Sequence, residues 1–249
     1  MADLPISGLS AVTSLTGSES FPVVSGGTTK KATISQVVSR LQADVRDYGA
    51  DPTGVSDSRS AIQAAIDAVA ALGGGSVYLP AGVYKVLTAL VPKINVRIYG
   101  DGYNVSKDGL FNVLTGTILR GNSTAPCFAY NATDLGGDYA SLAAALDDCL
   151  SGVHIESLAM DAFTYGIKSG ALYATGCFES FFSNLLATNC TKWGFYFENS
   201  SNNEYKGLKS SFCGTTGDGT TGQMAFGAST VRYNHGNCLS AHKFAVYGK

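Results

Sequence analysis

Charge is scarce in this chain. Asp, Glu, Lys and Arg together make up 14% of its 249 residues, against about 25% in an ordinary globular domain. The 17 Lys and Arg nearly balance the 19 Asp and Glu. That excludes a nucleic-acid binder working by phosphate neutralisation. No apolar run reaches about 18 residues, so no membrane-spanning helix is expected. Residues 1–20 lack a charged start followed by an apolar centre, so no secretory signal is read there. The six cysteines (Cys127, Cys149, Cys177, Cys190, Cys213, Cys238) form no C-x-x-C pair. None of the three histidines, His154, His235 and His242, stands at zinc-ligand spacing from them. A metal or other cofactor is not expected, and the cysteines read as buried small hydrophobes. The N-x-[ST] triplets at Asn104, Asn122, Asn131, Asn189 and Asn199 read as turn residues.

Glycine is abundant, at 30 residues, and 45% of the chain is hydrophobic. A β-rich globular fold with many tight turns follows. Residues 1–32 hold only isolated apolar pieces among Ser, Thr and Gly: Leu4, Ile6, Leu9, then Phe21 to Val24. Gly26-Gly27 marks a turn before Lys30-Lys31. So little apolar sequence implies a flexible arm, or a piece that orders against a partner. Residues 33–43 read as a short helix with Thr33 as N-cap. Ile34, Val37, Val38 and Leu41 form its stripe, which packs on its own domain or, through Ile34, Val37 and Leu41, meets sister chains in a neck.

From residue 44 the pattern tightens. Asp44–Gly54 reads as a strand and a turn. A helix from Ser56 or Asp57 to Leu72 follows, with Ile62, Ile66, Val69 and Leu72 on its apolar face and Gly73-Gly74-Gly75 ending it. Strands are expected at 76–80, 83–87 and 93–100, the last with Ile94, Val96 and Ile98 facing one way. Neither Gly-rich loop carries a phosphate-binding motif. Residues 138–150 read as a helical insertion, with Tyr139, Leu142, Leu146 and Cys149 facing the body.

Repeats then decide the fold class. Ile155-Glu-Ser-Leu158 aligns with Phe182-Ser-Asn-Leu185 and with Tyr205-Lys-Gly-Leu208, at offsets of 27 and 23 residues. A second strand recurs at Tyr165-Gly-Ile167 and Trp193-Gly-Phe195, and Ile98 to Leu119 is a similar step. Cys190 and Cys213 should stack in successive coils. A period in the twenties is that of a β-solenoid, with the 57–72 helix closing its open end; an irregular β-sandwich is the alternative.

Residues 44–100 resemble the start of the pectate-lyase-like right-handed parallel β-helix family. The resemblance rests on Asp44–Gly54, Ser60–Ile66, Gly73–Tyr84 and Ile98–Gly102. Residues 4–38 resemble the virion-anchoring start of phage tail fibres and tailspikes, through Leu4–Leu9, Leu15–Gly17, Phe21–Val24 and Gly26–Lys31. Together these imply a mainly β chain with two regions. Residues 1–43 would be an anchoring region with a neck helix, and 44–249 a β-helix. The resemblance further implies a homotrimer assembled in the host cytoplasm and carried on the virion. Leu4, Ile6, Leu9, Phe21 and Val23 would dock on phage tail or baseplate proteins, and Ile34, Val37 and Leu41 would form the trimer neck. The β-helix would bind or degrade a host surface polysaccharide; a non-catalytic tail adaptor is the alternative. A secreted enzyme of a cell is a third reading, disfavoured by the anchor-like start.

Hydrolysis would need two carboxyls and elimination a base with a cation. Glu156 and Asp161 on one coil, with Glu179, Glu198 and Glu204 on the next coils, are the outward carboxylates. Without coil register no catalytic residue is assigned, and each carboxylate reads as a solvated charge. The chain ends at Phe244–Lys249 with no end-capping pattern after four or five coils. It reads either as the front of a longer protein or as a short anchor.

Overall fold

A computed structural model describes residues 20–33, 42–105, 113–130, 150–169, 177–197, 203–214, 222–226, 235–237 and 240–241. The chain divides into two compact units, Met1–Leu41 and Gln42–Lys249. In the first, β1 (Ser20–Ser25) and β2 (Thr28–Thr33) form an antiparallel hairpin. The Gly26-Gly27 turn takes positive φ at both positions, as a two-residue hairpin turn requires. The apolar piece Phe21–Val24 is therefore paired strand, not loose arm. Thr33 ends β2 instead of capping a helix, and Gln42 and Ala43 lie in β3. Both ends of the expected 33–43 helix are thus strand; Ile34, Val37 and Leu41 fall outside the described residues, as do Leu4, Ile6 and Leu9. The expected insertion helix at 138–150 also lies outside them, apart from Leu150.

The second unit is a right-handed parallel β-helix. Its first face stacks β3 (Gln42–Asp44), β5 (Gly75–Leu79), β7 (Val96–Gly100), the start of β12 (His154–Asp161), β15 (Phe181–Thr188), β17 (Glu204–Ser211) and β19 (His235–Asn237). The second face stacks β4 (Thr53–Asp57), β6 (Gly82–Lys85), β9 (Val113–Arg120), the ends of β12, β15 and β17, and β20 (Ser240–Ala241). The third stacks β10 (Phe128–Tyr130), β13 (Tyr165–Ser169), β16 (Trp193–Phe197) and β18 (Gly222–Phe226). A short parallel pair, β11 (Leu150–Ser151) with β14 (Cys177–Phe178), precedes two of the coils. β8 (Tyr103–Val105) folds back antiparallel on β9.

The repeat alignment predicts the register of the later coils. Ile155, Phe182 and Tyr205 share one column, and Leu158, Leu185 and Leu208 another, all buried. Phe182 packs against Tyr205 and Phe197 at ring separations of 5.6 and 5.1 Å, an arrangement only stacked coils provide. Between faces the chain turns through one left-handed residue per coil: Ser157 and Asn184, then Gly207. The next corner uses Ala162, Asn189 and Phe212. Asn tolerates this conformation better than most residues. Asn189 also spends its amide on the Asp161 carboxylate of the coil before, at 2.8 Å. The expected Ile98-to-Leu119 step is not a stacking step. Ile98 stacks on Val77 and Ile155, and Leu119 on Tyr84 and Met160. Both lie in one coil, which the β8 excursion widens.

At the amino-terminal end, α1 (Arg59–Ala71) packs on the 3-10 turn Val45–Tyr48 and on β3, β5 and β7. That turn takes the place of the strand expected from Asp44; β3 ends there. Ile62, Ala65, Ile66 and Val69 are buried, closing the open end of the core. Leu72 is not on this face. The helix stops at Ala71, where Leu72 serves as C-cap and Gly73 turns left-handed, leaving Leu72 exposed. Ile94 is likewise exposed, because β7 begins only at Val96. Buried Gln63 acts as a pseudo-strand: its amide donates to the Val91 carbonyl at 3.0 Å and accepts from the Val91 N–H at 2.9 Å. Arg59 holds the Ala89 carbonyl of the same segment.

Candidate functional site

The outward carboxylates lie in two places. Glu156 sits on the first face, where Arg97 of the preceding coil donates to it at 2.5 Å and stacks its guanidinium 4.3 Å over Tyr99. Asp161 sits at the far end of the same strand, beyond the Ser157 corner, on the second face. It accepts from Arg120 at 3.0 Å and from Asn189. The corner thus sends the two carboxylates to different faces, each committed to a neighbouring cation. Asp101 is also committed: the Tyr78 hydroxyl and the Ala81 N–H both donate to it. That hydrogen bond, with burial, pushes the Tyr78 phenol up to about 12. Tyr78 stacks on Tyr99 at 5.1 Å. The first face between Tyr78 and Glu156 is therefore a self-satisfied ladder of rings and charges. Glu179 and Glu204 are exposed, and Glu198 lies outside the described residues. Among the described residues no group of three or more His, Cys, Asp or Glu is placed to hold a metal ion.

The third face is different. Tyr165 opens β13 and Tyr196 lies on the next coil, their rings 5.9 Å apart edge to face. Lys168 Nζ stands 5.6 Å and Lys192 Nζ 5.8 Å from the Tyr165 ring centre. Trp193, stacked on Tyr165 by register, packs beneath at 6.1 Å from Tyr196. Both tyrosines are half-buried. Neither lysine has an ion-pair partner among the described residues. Burial pushes the Tyr165 phenol up, so it is neutral and able to donate a hydrogen bond at neutral pH. Two cations flanking a pair of rings on adjacent coils form a surface suited to a flat, negatively charged ligand. Sequence reasoning aligned Tyr165 with Trp193 but treated both as coil markers. Lysines beside aligned aromatics in consecutive coils were the overlooked signal.

Of the expected anchoring residues, Phe21 and Val23 lie on one side of β1, with Phe21 exposed and Val23 half-buried.

A family model described as rhamnogalacturonase A/epimerase, pectate lyase-like, matches residues 42–243. The chain belongs to this family. Mannuronan C5-epimerase AlgE4 of Azotobacter vinelandii is 53% identical over 71 residues, 28% of this chain and 12% of that protein. This chain thus spans only a small part of the curated relatives' length. Two solved structures share the fold at a TM-score of 0.50. The Streptococcus pneumoniae adhesin PfbA is 18% identical, over 76% of this chain and 47% of that one. The tailspike of E. coli bacteriophage HK620 is 17% identical, over 78% and 34%. The tyrosines of the third face, with the lysines beside them, are the candidate binding surface.

Proposed function

We propose that this chain is a tailspike-like component whose β-helix binds an acidic polysaccharide on its third face. The observation that carries the reading is that Lys168 and Lys192 stand 5.6 and 5.8 Å from the Tyr165 ring centre, with Tyr196 of the next coil edge to face against that ring. Sugar rings present apolar C–H faces that pack on tyrosine, and a carboxylate on such a ring meets a lysine with no competing ion pair. Successive coils repeat at the strand spacing of about 4.8 Å, so an extended chain can contact several at once. The family's curated relatives include proteins named for mannuronan and alginate, both acidic polysaccharides.

Residues 1–41 tether the chain to a phage tail or baseplate in this reading. Leu4, Ile6, Leu9, Phe21 and Val23 enter tail grooves, and Ile34, Val37 and Leu41 meet on a homotrimer axis. A two-stranded hairpin alone is marginal in water, which supports a partner for β1 and β2. The exposed Phe21 fits the same role.

Affinity electrophoresis through gels holding polygalacturonate or dextran tests the binding half. The wild-type chain should be retarded only by the anionic polymer. Lys168→Gln with Lys192→Gln should lose retardation at least tenfold without a change in melting. Equal retardation by both polymers, or none, rejects the reading. The anchoring half is tested by deleting residues 1–32 and blotting purified particles. Incorporation at the wild-type level rejects it.

A further inference from the structure

Three buried thiols remain that neither binding nor anchoring uses: Cys127, Cys190 and Cys213. Two of them occupy equivalent places in neighbouring coils. Each directly follows a left-handed corner residue, Asn189 for Cys190 and Phe212 for Cys213. The coils are locked together there. The Asn189 N–H donates to the Ser211 carbonyl at 3.2 Å, and the Gly214 N–H to the Cys190 carbonyl at 2.9 Å. The two side chains point into the same corner. Cys213 Sγ lies 3.4 Å from the Ser211 carbonyl oxygen and 3.6 Å from that of Ala187. Cys190 Sγ lies 3.7 Å from the Thr188 carbonyl oxygen. The Ala187 carbonyl that Cys213 reaches belongs to the coil that carries Cys190. Neighbouring coils are separated by about 4.8 Å, inside the Cα span of about 4.4–6.8 Å that a disulfide bridges.

We infer that Cys190 and Cys213 are an inter-coil latch: a dithiol in reducing surroundings that closes to a disulfide in oxidising ones, clamping two successive coils at their corner. The oxidant is a small-molecule disulfide such as oxidised glutathione. The Cys213 thiolate attacks one of its sulfurs and releases one thiolate. Cys190, giving up its proton, then attacks the mixed disulfide and releases the second. The net reaction converts two protein thiols and one small disulfide into one protein disulfide and two small thiols. Cys213 is the attacking partner because the Cys190 thiol stabilises its thiolate, while that same contact and burial push Cys190 up. Phe212, the residue before Cys213, is exposed, so the attacking thiol lies directly beneath the surface. Cys127 is not part of the latch. Phe163 occupies the matching corner of the coil before Cys190, immediately after Ala162.

The test incubates the folded full-length chain with oxidised glutathione at pH 8, blocks remaining thiols with an alkylating agent and maps peptides by mass spectrometry. The expected product is a linked peptide holding Cys190 and Cys213, removed by dithiothreitol. The loop it closes is one coil long, so the melting midpoint should rise by roughly 5–10 °C. Cys213→Ser and Cys190→Ser should each lose the linked peptide and the shift, and Cys127→Ser should keep both. A link to any other cysteine, no link after prolonged oxidation, or a link that leaves the midpoint unchanged overturns the inference.

Discussion

Replacing Ile66 with Asp tests whether α1 truly closes the core. Ile66 is fully buried beneath the helix, and cutting such a side chain back to Ala costs about 2–5 kcal/mol. Aspartate adds a charge to the apolar core cluster that Ile66 belongs to. Burial raises a carboxyl pKa in the folded state above about 3.9 in the unfolded chain. The acid is then protonated when folded and ionised when unfolded, so stability falls as pH rises above about 4. If the folded value reaches about 7, the extra loss at neutral pH is about 4 kcal/mol, at 1.36 kcal/mol per unit. Added to the lost packing, that approaches the whole stability of an ordinary domain, about 5–15 kcal/mol. Ile66→Asn serves as the uncharged control. Urea unfolding followed by circular dichroism at pH 4.5 and pH 7 reads the difference. The Asp variant should fall away from the Asn variant as pH rises. The single tryptophan, Trp193, reports separately on the later coils and shows whether they unravel with the cap. Parallel pH profiles for Asp and Asn, or a wild-type midpoint for Asp, would refute the buried cap.

Asn189→Ala removes the amide bond to Asp161 and places a less tolerant residue at a left-handed corner. It should lower stability by about 1–2 kcal/mol, and Asn189→Gly by less, in thermal melts. Arg97→Ala should cost under about 1 kcal/mol despite its short contact with Glu156, because the guanidinium is largely exposed; a double-mutant cycle with Glu156→Gln measures the pair. Hydrogen bonds from the Thr53 side chain and the Ser56 and Thr53 backbones hold the Asp51 carboxyl down to about 2. Its stabilising effect is full above about pH 4 and is lost as pH falls towards 2, so wild type and Asp51→Asn should converge in acid melts.

The later coils were legible because their inward residues repeat with one period. Leu158, Leu185 and Leu208 carry both the spacing and the register. The third coil was not, because the Tyr103–Val105 excursion lengthens it and hides its period. Gln63 could not be foreseen as a strand mimic, since its partner, Val91, lies 28 positions away in a segment without pattern. The same holds for Arg97 and Glu156, brought together across 59 positions. The helix was read one residue too far because Leu72 keeps the apolar period after Gly73 has ended the turn. The binding surface was hidden by chemistry shared with a core. Tyr165 and Trp193 mark β13 and β16, and only the coil register sets Lys168 and Lys192 beside one ring.

Trp193 gives the most direct test of polysaccharide binding on the third face. It packs 6.1 Å from Tyr196, within the proposed site, and is the chain's only tryptophan. Its emission should change saturably on titration with oligogalacturonate and stay flat with neutral dextran fragments. The response should weaken as salt rises past about 0.15 M, where charges more than about 8 Å apart are screened, and vanish in Lys168→Gln with Lys192→Gln. Emission unmoved by the acidic sugar, or a response that the lysine variant retains in full, would contradict the account.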